Sequence, residues 1–226
     1  MFQIAATIGY AKKYDVPFIF PTWTHQNEFE MPANFFQTKV TWKSHYQEPS
    51  FTYKEIPFQP DCALYGYFQS WKYFEHCQDY IAEIFTPKDA EDPRLFRNLC
   101  CIHVRRGDYL KFPDYHPLQS IDYYKKAMEL IPARKYIIFS DDVKWCESNF
   151  IGDQYVVTEA ASSAIDFKIM MACNHFILAN SSFSWWAAWL SPHDDKVVVV
   201  PENWFGSKIK ETNPTHDLIP YNWIRI

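Results

Sequence analysis

The sequence contains little glycine and lacks the motifs by which several classes of enzyme are identified. Glycine accounts for 5 of its 226 residues. Neither the dinucleotide-binding pattern G-x-G-x-x-G nor the phosphate-binding loop G-x-x-x-x-G-K-[ST] occurs, and the nucleophile turn G-x-S-x-G and the metal pair H-E-x-x-H are also missing. These absences argue against a dinucleotide fingerprint, a P-loop, a hydrolase and a metal site.

The charge and the apolar runs exclude two further classes. The net charge is −5, whereas general nucleic-acid binding requires a basic face. Apolar runs such as "VVVV" are far shorter than the roughly 20 residues that span a membrane. The first residues, "MFQIAATIGYAKKYD", lack the features of a signal peptide, and their apolar spacing predicts an amphipathic helix. We therefore expect a cytoplasmic protein without a nucleic-acid partner, which at most associates peripherally with the inner face of the membrane.

Aromatic and apolar residues are abundant. They make up 19% and 48% of the chain, respectively, which excludes a disordered protein. The six cysteines include no C-x-x-C pair, and most of them lie within apolar runs. This pattern favours buried, reduced thiols over disulfides.

The second half of the chain alternates between short apolar strands and helices. Strands are predicted at 99–105, 135–140, 154–158, 175–179 and 196–200, and helices near 120–131, 142–149, 164–173 and 182–190. Short buried strands separated by helices are typical of a parallel α/β sheet. We therefore predict a doubly wound, Rossmann-like lobe over residues 94–226.

The first half is less regular. Strands are predicted at 16–20 and 62–68, and Ser70 is a candidate N-cap for a helix from Trp71 to about Phe85. The stretch "TPKDAEDPRLFRN" is polar and interrupted by proline, which is typical of a linker. Residues 1–93 are therefore predicted to form a separate, incomplete lobe.

A cluster of charged residues follows the first strand of the second half. The segment "CIHVRRGDYLKF" carries His103, Arg105, Arg106 and Asp108. Ligands of parallel sheets bind at the carboxyl ends of strands, and the planar fork of arginine suits phosphate groups. Strand alternation places His103 and Arg105 on one face and Arg106 on the other. The position favours anion binding, and a surface pairing of the arginines with Asp108 is the alternative.

Other strand ends carry weaker candidates. Ser181 and Ser182 in "ANSSFSWWAAWL" either cap the next helix or contact a phosphate, or do both. In "SDD", Asp141 or Asp142 is predicted to cap a helix, and contact with a ribose is the alternative. Asp166 either compensates a helix dipole or accepts hydrogen bonds from a purine.

The loop "YLKFPDYHP" follows the arginine segment and carries Asp114 and His116. A carboxylate on a flexible loop beside a diphosphate site is a candidate general base. A solvated loop aspartate is the alternative, and the residues alone favour it.

Taken together, these segments resemble a family. "HVRRGDY" resembles the H-x-R-R-x-D motif of the α-1,2-fucosyltransferases, glycosyltransferase family 11, a motif shared more loosely with α-1,6- and protein O-fucosyltransferases. Other segments resemble blocks of the bacterial members in the same order: "MFQIAATIGYAKKY", "GYFQSWKYF", "FSDD", "DFKIMMACNHFILANSSFSWWAAWL" and "VVVVPENWF". The resemblance spans nearly the whole chain, and the combination is more specific than any single block.

The resemblance implies a GT-B-like architecture, in which two Rossmann-like lobes contain doubly wound parallel sheets. It implies an inverting enzyme that moves L-fucose from GDP-β-L-fucose, held mainly by the C-terminal lobe, to the 2-hydroxyl of a galactose-containing glycan in surface polysaccharide or O-antigen synthesis. No cofactor or metal is expected, which agrees with the absence of a D-x-D pair. Residues 1–93 would be the acceptor-side lobe and residues 94–226 the GDP-sugar-binding lobe.

The resemblance also assigns roles by position. Arg105 would engage the β-phosphate and support the departure of GDP, Arg106 would be a second and structural contact, and Asp108 would hold the arginine turn. Asp114 is the nearest counterpart of an acidic residue proposed as the base in the α-1,6 relatives, offset by about one residue.

Four further residues would contact the donor according to the resemblance. His103 and Asp166 would lie near guanine and ribose, and Ser181 and Ser182 would lie at the phosphates and the fucose. The sequence departs from the family at its start, because members carry a strand and a G-G-L-G-N-Q stretch before the segment that matches "MFQ". The N-terminal lobe is therefore expected to be incomplete. Two alternatives stay open: a truncated, inactive relative that binds a sugar nucleotide or a glycan, and an unrelated Rossmann-like binding domain.

Overall fold

The computed structural model describes residues 1–131, 133–159 and 162–226, and the chain forms two compact units. The first unit comprises Met1–Lys88 with Thr212–Tyr221, and the second comprises Asp89–Glu211 with Asn222–Ile226. The assignment of an acceptor-side lobe to residues 1–93 and of a donor-binding lobe to residues 94–226 stays a prediction.

Helix α1 (Phe2–Tyr14) is the longest helix of the first unit. It buries Phe2, Ile4, Ala5, Ala6, Ile8, Gly9 and Ala11. The predicted amphipathic helix is therefore confirmed. It ends at Asp15, which adopts the left-handed conformation with φ 53°.

The first unit also contains two parallel pairs of short strands. Strand β1 (Phe20–Pro21) pairs with β2 (Phe36–Gln37), and β3 (Ser44–Gln47) pairs with β4 (Cys62–Tyr65). The strand predicted at 16–20 forms only at its last residue. The strand predicted at 62–68 ends at Tyr65, because the following amides of Tyr67 and Phe68 donate to the Glu48 carboxylate at 2.7 and 3.1 Å instead of joining a ladder.

The helix predicted from Trp71 to Phe85 is interrupted. Ser70 caps a 3₁₀ turn (Trp71–Tyr73), a second 3₁₀ turn follows (Glu75–Cys77), and only helix α2 (Gln78–Ile84) is α-helical. The interruption coincides with a close approach to α1, since a Cβ at Gly9 would lie 2.0 Å from the Tyr73 carbonyl oxygen. Tertiary packing therefore overrides the local helical preference here.

The second unit is built on a six-stranded parallel sheet with the strand order β10-β9-β8-β5-β6-β7. Its strands are β5 (Leu99–Val104), β6 (Lys135–Ser140), β7 (Tyr155–Val157), β8 (His175–Ile177), β9 (Val198–Val200) and β10 (Ile224–Arg225). Its helices are α3 (Ile121–Leu130), α4 (Val143–Asn149), α5 (Ser163–Ala172) and α6 (Ser182–Leu190). The strands and helices predicted for the second half are confirmed, and the α/β class with them.

Helices cover both faces of this sheet. Cys100, Ile102 and Val104 of β5 pack in one cluster with Tyr124 of α3 and Cys146 of α4. The alternate position His103 faces the other way. It contacts Ser184 of α6. Strand β5 is therefore buried along its whole length, and its carboxyl end lies at the centre of the sheet edge where parallel α/β folds bind ligands.

All six cysteines are free, and Cys100, Cys101, Cys146 and Cys173 are buried. The prediction of buried, reduced thiols is thus confirmed for these four, while Cys62 and Cys77 are partly exposed. Within the part of the chain that the structure describes, no helix combines the length and the apolar character needed to cross a membrane.

Candidate active site

Three strand ends bring the predicted site residues to one edge of the sheet. Strand β5 pairs with β6 on one side and with β8 on the other. The segments that leave these strands are 105–108, 141–142 and 178–182. Because the strands are parallel and adjacent, their exits lie side by side.

Arg105 is partly exposed at the β5 exit and contacts three neighbouring side chains. Its guanidinium lies 2.6 Å from an Asp108 oxygen and 3.1 Å from an Asp141 oxygen, and its side chain is 36% exposed. The guanidinium carbon lies 5.6 Å from the centre of the Tyr109 ring. The pairing with Asp108, which the sequence left open, therefore exists. A guanidinium has five N–H donors, so these ion pairs leave donors for an anion.

Arg106 is held more firmly. Its Nε lies 3.0 Å from an Asp142 oxygen, and its guanidinium lies 4.4 Å from the centre of the Trp145 ring. Its amide donates to the Asp141 carboxylate at 2.8 Å. With a side chain only 17% exposed, Arg106 fixes the turn after β5 against the start of α4. It points away from the α6 side that His103 faces, as strand alternation predicts.

Asp141 is a site residue that the sequence analysis missed in this role. Its carboxylate contacts both the Arg105 guanidinium and the Arg106 amide. A Cβ at position 107 would lie 2.7 Å from an Asp141 oxygen, so a larger residue there would displace this carboxylate. The cap of α4 is Asp142, which accepts a hydrogen bond from the Trp145 amide at 3.2 Å. The predicted cap is therefore confirmed for Asp142, whereas Asp141 holds the arginine turn.

His103 is buried inside this edge of the sheet. Its Nδ1 is hydrogen-bonded to the Ser184 hydroxyl at 2.8 Å. Burial, followed by the nearby charge of Arg105, lowers the pKa of His103 to about 4. The imidazole is consequently neutral at pH 7. Its predicted contact with guanine or ribose stays a prediction.

The N-terminus of α6 lies at the exit of β8. Ser181 caps this helix by accepting a hydrogen bond from the Phe183 amide at 3.4 Å, and Ser182, the first helical residue, is exposed. The side chain of Asn180 fixes the turn. Its Nδ2 donates to the Trp204 carbonyl at 2.9 Å, and its Oδ1 accepts from the Gln119 side chain at 3.2 Å. A fixed helix N-terminus beside an arginine is a favourable environment for an anion.

Asp166 lies in the first turn of α5 and is half-buried. Burial raises the pKa of its carboxyl group. The cap of α5 is Ser162, which accepts a hydrogen bond from the Ile165 amide at 3.2 Å. No ion pair of the Asp166 carboxylate is found among the residues with described positions, so its oxygens are free to accept hydrogen bonds from a ligand.

Side-chain and main-chain contacts hold the loop after the arginine segment. A 3₁₀ turn (Tyr109–Lys111) opens it, and the buried Tyr109 hydroxyl donates to the Asn180 carbonyl at 2.9 Å. The Asp114 carbonyl accepts from the Lys208 amide at 3.0 Å. Gly206 allows this contact, since a Cβ there would lie 2.2 Å from the Asp114 carbonyl oxygen. These contacts hold the main chain of the loop at three points, and the flexibility expected of it stays a prediction.

Asp114 and His116 occupy different environments on this loop. Asp114 is exposed. The His116 ring stacks on the Tyr109 ring, with centroids 4.7 Å apart and an interplanar angle of 19°. Burial lowers the pKa of His116, and the charges of Asp108 and Arg105 reach its ring. The structure thus brings His116 to the arginine site, which the residue pattern did not single out.

No group of three or more His, Cys, Asp or Glu side chains suited to a metal ion occurs within residues 1–131, 133–159 and 162–226. Metal independence stays a prediction.

Comparison with known proteins identifies the family of this chain. Residues 24–226 match glycosyl transferase family 11. The chain is 36% identical over 171 residues to the O-antigen biosynthesis glycosyltransferase WbnK of Escherichia coli, a match that covers 66% of this chain and 57% of that protein. It is 32% identical over 180 residues to an alpha-1,2-colitosyltransferase of Escherichia coli, covering 71% of this chain and 61% of that protein.

A mammalian relative is more distant. The human galactoside alpha-(1,2)-fucosyltransferase 1 is 29% identical over 165 residues, which are 60% of this chain and 44% of that protein. The chain thus covers less than two thirds of the length of each of these relatives. No solved structure shows significant similarity to it. Since the family match extends over most of its length, the chain belongs to glycosyltransferase family 11.

Proposed function

We propose that this protein is an α-1,2-fucosyltransferase that moves L-fucose from GDP-β-L-fucose to the 2-hydroxyl of a galactoside, with inversion and without a metal, during surface polysaccharide or O-antigen synthesis. We also propose a GT-B-like architecture with two Rossmann-like lobes. The observation that carries the proposal is the position of Arg105. It directly follows β5 in the middle of a parallel sheet, and β5 is paired with the strand that leads into the N-terminus of α6. The chain belongs to a family of glycosyltransferases.

Arg105 would act on the leaving group. As the bond between the anomeric carbon and the phosphate oxygen breaks, negative charge builds on the β-phosphate of GDP, and the guanidinium stabilises it. Asp108 and Asp141 hold the guanidinium in place at 2.6 and 3.1 Å. Arg106 supports the turn through Asp142 and Trp145.

The remaining contacts with the sugar-nucleotide donor would be made by residues at the carboxyl edge of the sheet. Ser181, Ser182 and the free amides of α6 would bind the phosphates and the fucose, and His103 and Asp166 would lie at guanine and ribose. The acceptor hydroxyl must lose a proton during transfer. The loop 109–117 would supply the base, for which Asp114 is the candidate from the sequence.

Colitose is a second candidate for the transferred sugar. The similarity to an alpha-1,2-colitosyltransferase covers 71% of this chain at 32% identity, more than the similarity to the human fucosyltransferase. A GDP-linked colitose is therefore the alternative donor. The family membership supports the transfer of a sugar, and the transfer assay distinguishes the two donors.

The experiment is a transfer assay with the full chain. The protein is incubated with lactose and either GDP-fucose or GDP-colitose, with and without EDTA, and the products are identified by mass spectrometry and glycosidase digestion. We expect an α-1,2-linked trisaccharide with one donor, at a rate that EDTA leaves unchanged. Binding of GDP by calorimetry without any transfer would favour a non-catalytic sugar-nucleotide-binding protein, and no binding of GDP would contradict the proposal.

A further inference from the structure

His116 has a defined position on the loop that follows the arginine segment. Its amide donates to the Phe112 carbonyl at 2.9 Å, and its ring stacks on that of Tyr109 at 4.7 Å with an angle of 19°. Tyr109 is itself fixed, since it is buried and its hydroxyl donates to the Asn180 carbonyl. The imidazole therefore rests on an aromatic ring that burial and a hydrogen bond hold in place.

The same tyrosine relates His116 to Arg105. The Arg105 guanidinium carbon lies 5.6 Å from the centre of the Tyr109 ring. The imidazole and the guanidinium are therefore at most about 10 Å apart, which places both groups at one site. In inverting glycosidases the acid and the base act on opposite faces of the sugar ring. An inverting transfer likewise needs the leaving group and the base on opposite sides of the anomeric carbon.

The chemical state of His116 suits proton transfer. Burial lowers its pKa, the charge of Asp108 opposes that effect, and the charge of Arg105 adds to it. The ring is therefore neutral near pH 7 and has a lone pair. Among the described residues, no hydrogen bond engages its ring nitrogens. The ionisable and charged groups on the elements around it are Arg105, Asp108, Tyr109, Lys111, Asp114, Tyr115 and Lys208.

Asp114 differs from His116 in these respects. Its side chain is exposed. The hydrogen bond that holds this residue is made by its main-chain carbonyl, which accepts from the Lys208 amide. A side chain that is held only through its main chain keeps its rotamer freedom, whereas a stacked ring is restricted in its orientation.

We propose that the imidazole of His116, rather than the carboxylate of Asp114, accepts the proton of the acceptor hydroxyl. This inference rests on the proposed function. The hydroxyl oxygen forms a bond to the anomeric carbon, and the bond from that carbon to the β-phosphate oxygen breaks. Its electron pair leaves with GDP, where Arg105 stabilises the charge, and the proton of the hydroxyl moves to the neutral imidazole, which becomes an imidazolium.

The test uses three variants of the full chain. His116→Phe keeps a ring against Tyr109 and removes the proton acceptor, His116→Ala opens space for added imidazole, and Asp114→Asn removes the competing base. We expect His116→Phe to lower kcat by about 10²–10⁴-fold while the Kd for GDP changes less than threefold. We expect Asp114→Asn to lower kcat less than tenfold.

Two readouts separate a base from a structural residue. Added imidazole should restore part of the activity of His116→Ala and none of that of Asp114→Asn. The acid limb of the kcat profile of the unchanged protein should have its midpoint below about 6.5, the ordinary pKa of histidine, and it should disappear in His116→Phe.

Three results would overturn the inference. His116→Phe could retain more than a tenth of the kcat, or imidazole could fail to restore His116→Ala, or Asp114→Asn alone could lose 100-fold. If these occur while the unchanged protein transfers sugar, the base assignment fails and the proposed function stands. If the unchanged protein transfers neither fucose nor colitose, the proposed function fails and this inference fails with it.

Discussion

The guanidinium of Arg105 lies 3.1 Å from the carboxylate of Asp141, although the two residues are 36 positions apart in sequence. The register of the sheet explains the pair. The last aligned pair of β5 and β6 is Val104 with Ser140, so Arg105 and Asp141 are the first residues after the two strands. The site is thus an extension of the sheet, and its geometry follows from strand pairing rather than from the H-x-R-R-x-D segment alone.

Replacing Arg105 should impair the chemical step. We expect Arg105→Ala to lower kcat by about 10²–10³-fold, because the charge that develops on the leaving diphosphate loses its main partner. Arg105→Lys should recover only part of the loss, because an ammonium cannot bind bidentately. Steady-state kinetics with varied GDP-fucose measure both effects. Arg94→Ala, at an exposed arginine of the second unit, is the matched control, and normal turnover by Arg105→Ala would exclude the assigned role.

Arg106 should matter for stability more than for turnover. Arg106→Met removes the partner of Asp142 and the contact with Trp145 at a position that is mostly buried. We expect a loss of about 1–3 kcal/mol in the free energy of unfolding, measured by urea denaturation followed by tryptophan fluorescence. The kcat of the folded fraction should fall less than that of Arg105→Ala. An unchanged urea midpoint would show that this ion pair contributes no stability.

The secondary structure of the second unit could be predicted because its pattern is local. The five predicted strands are short apolar runs, whereas β10 (Ile224–Arg225) is not one and was not predicted. Ser120, Asp142 and Ser162 each cap the following helix with a side-chain oxygen, a signal visible in the sequence. Strand alternation also placed His103 and Arg106 on opposite faces. These features depend on a few neighbouring residues, which a single sequence contains.

The relationships that the sequence did not reveal are non-local. The role of Asp141 requires the register of two strands. The position of His116 requires the turn in which the amides of Tyr115 and His116 donate to the Phe112 carbonyl, and the Gly206 segment packs against this loop at the Asp114 carbonyl. The interruption of the helix after Ser70 requires the approach of Gly9. In each case the deciding partner is distant along the chain or reached only through a turn.

The stability of the protein should depend on pH through His103. Its pKa is about 4 when folded and about 6.5 when unfolded. Above pH 6.5 both states are neutral and the residue contributes nothing. Between pH 6.5 and 4 the unfolded state binds a proton and the folded state does not, so stability falls by up to about 3 kcal/mol. His103→Gln should show a smaller decline in urea midpoints measured at pH 7, 5.5 and 4.5. Parallel declines in both proteins would contradict this origin.

Gly206 should control the loop that carries Asp114 and His116. A Cβ at this position would lie 2.2 Å from a main-chain oxygen, so Gly206→Ala must displace the backbone of one of the two segments. We expect kcat to fall at least tenfold while the Kd for GDP changes little, because the loop lies beside the site and the strand exits stay in place. Calorimetry with GDP and steady-state kinetics separate the two effects. Equal losses of binding and turnover would indicate that the loop supports the donor site instead.

Asp166 and Asp122 provide a matched pair for the nucleotide base. Both lie in the first turn of a helix that a serine already caps, α5 by Ser162 and α3 by Ser120. If Asp166 accepts hydrogen bonds from guanine, Asp166→Asn should weaken GDP binding about tenfold or more, because a hydrogen bond to a charged group contributes about 1.5–3 kcal/mol. Asp122→Asn should leave the Kd for GDP unchanged. The two variants should change the free energy of unfolding by similar small amounts. Calorimetry with GDP and with ADP measures the difference, and the affinity for ADP should not fall in either variant. Equal GDP affinities in the two variants would indicate that Asp166 only compensates the helix dipole, the alternative that its position in the sequence also allows.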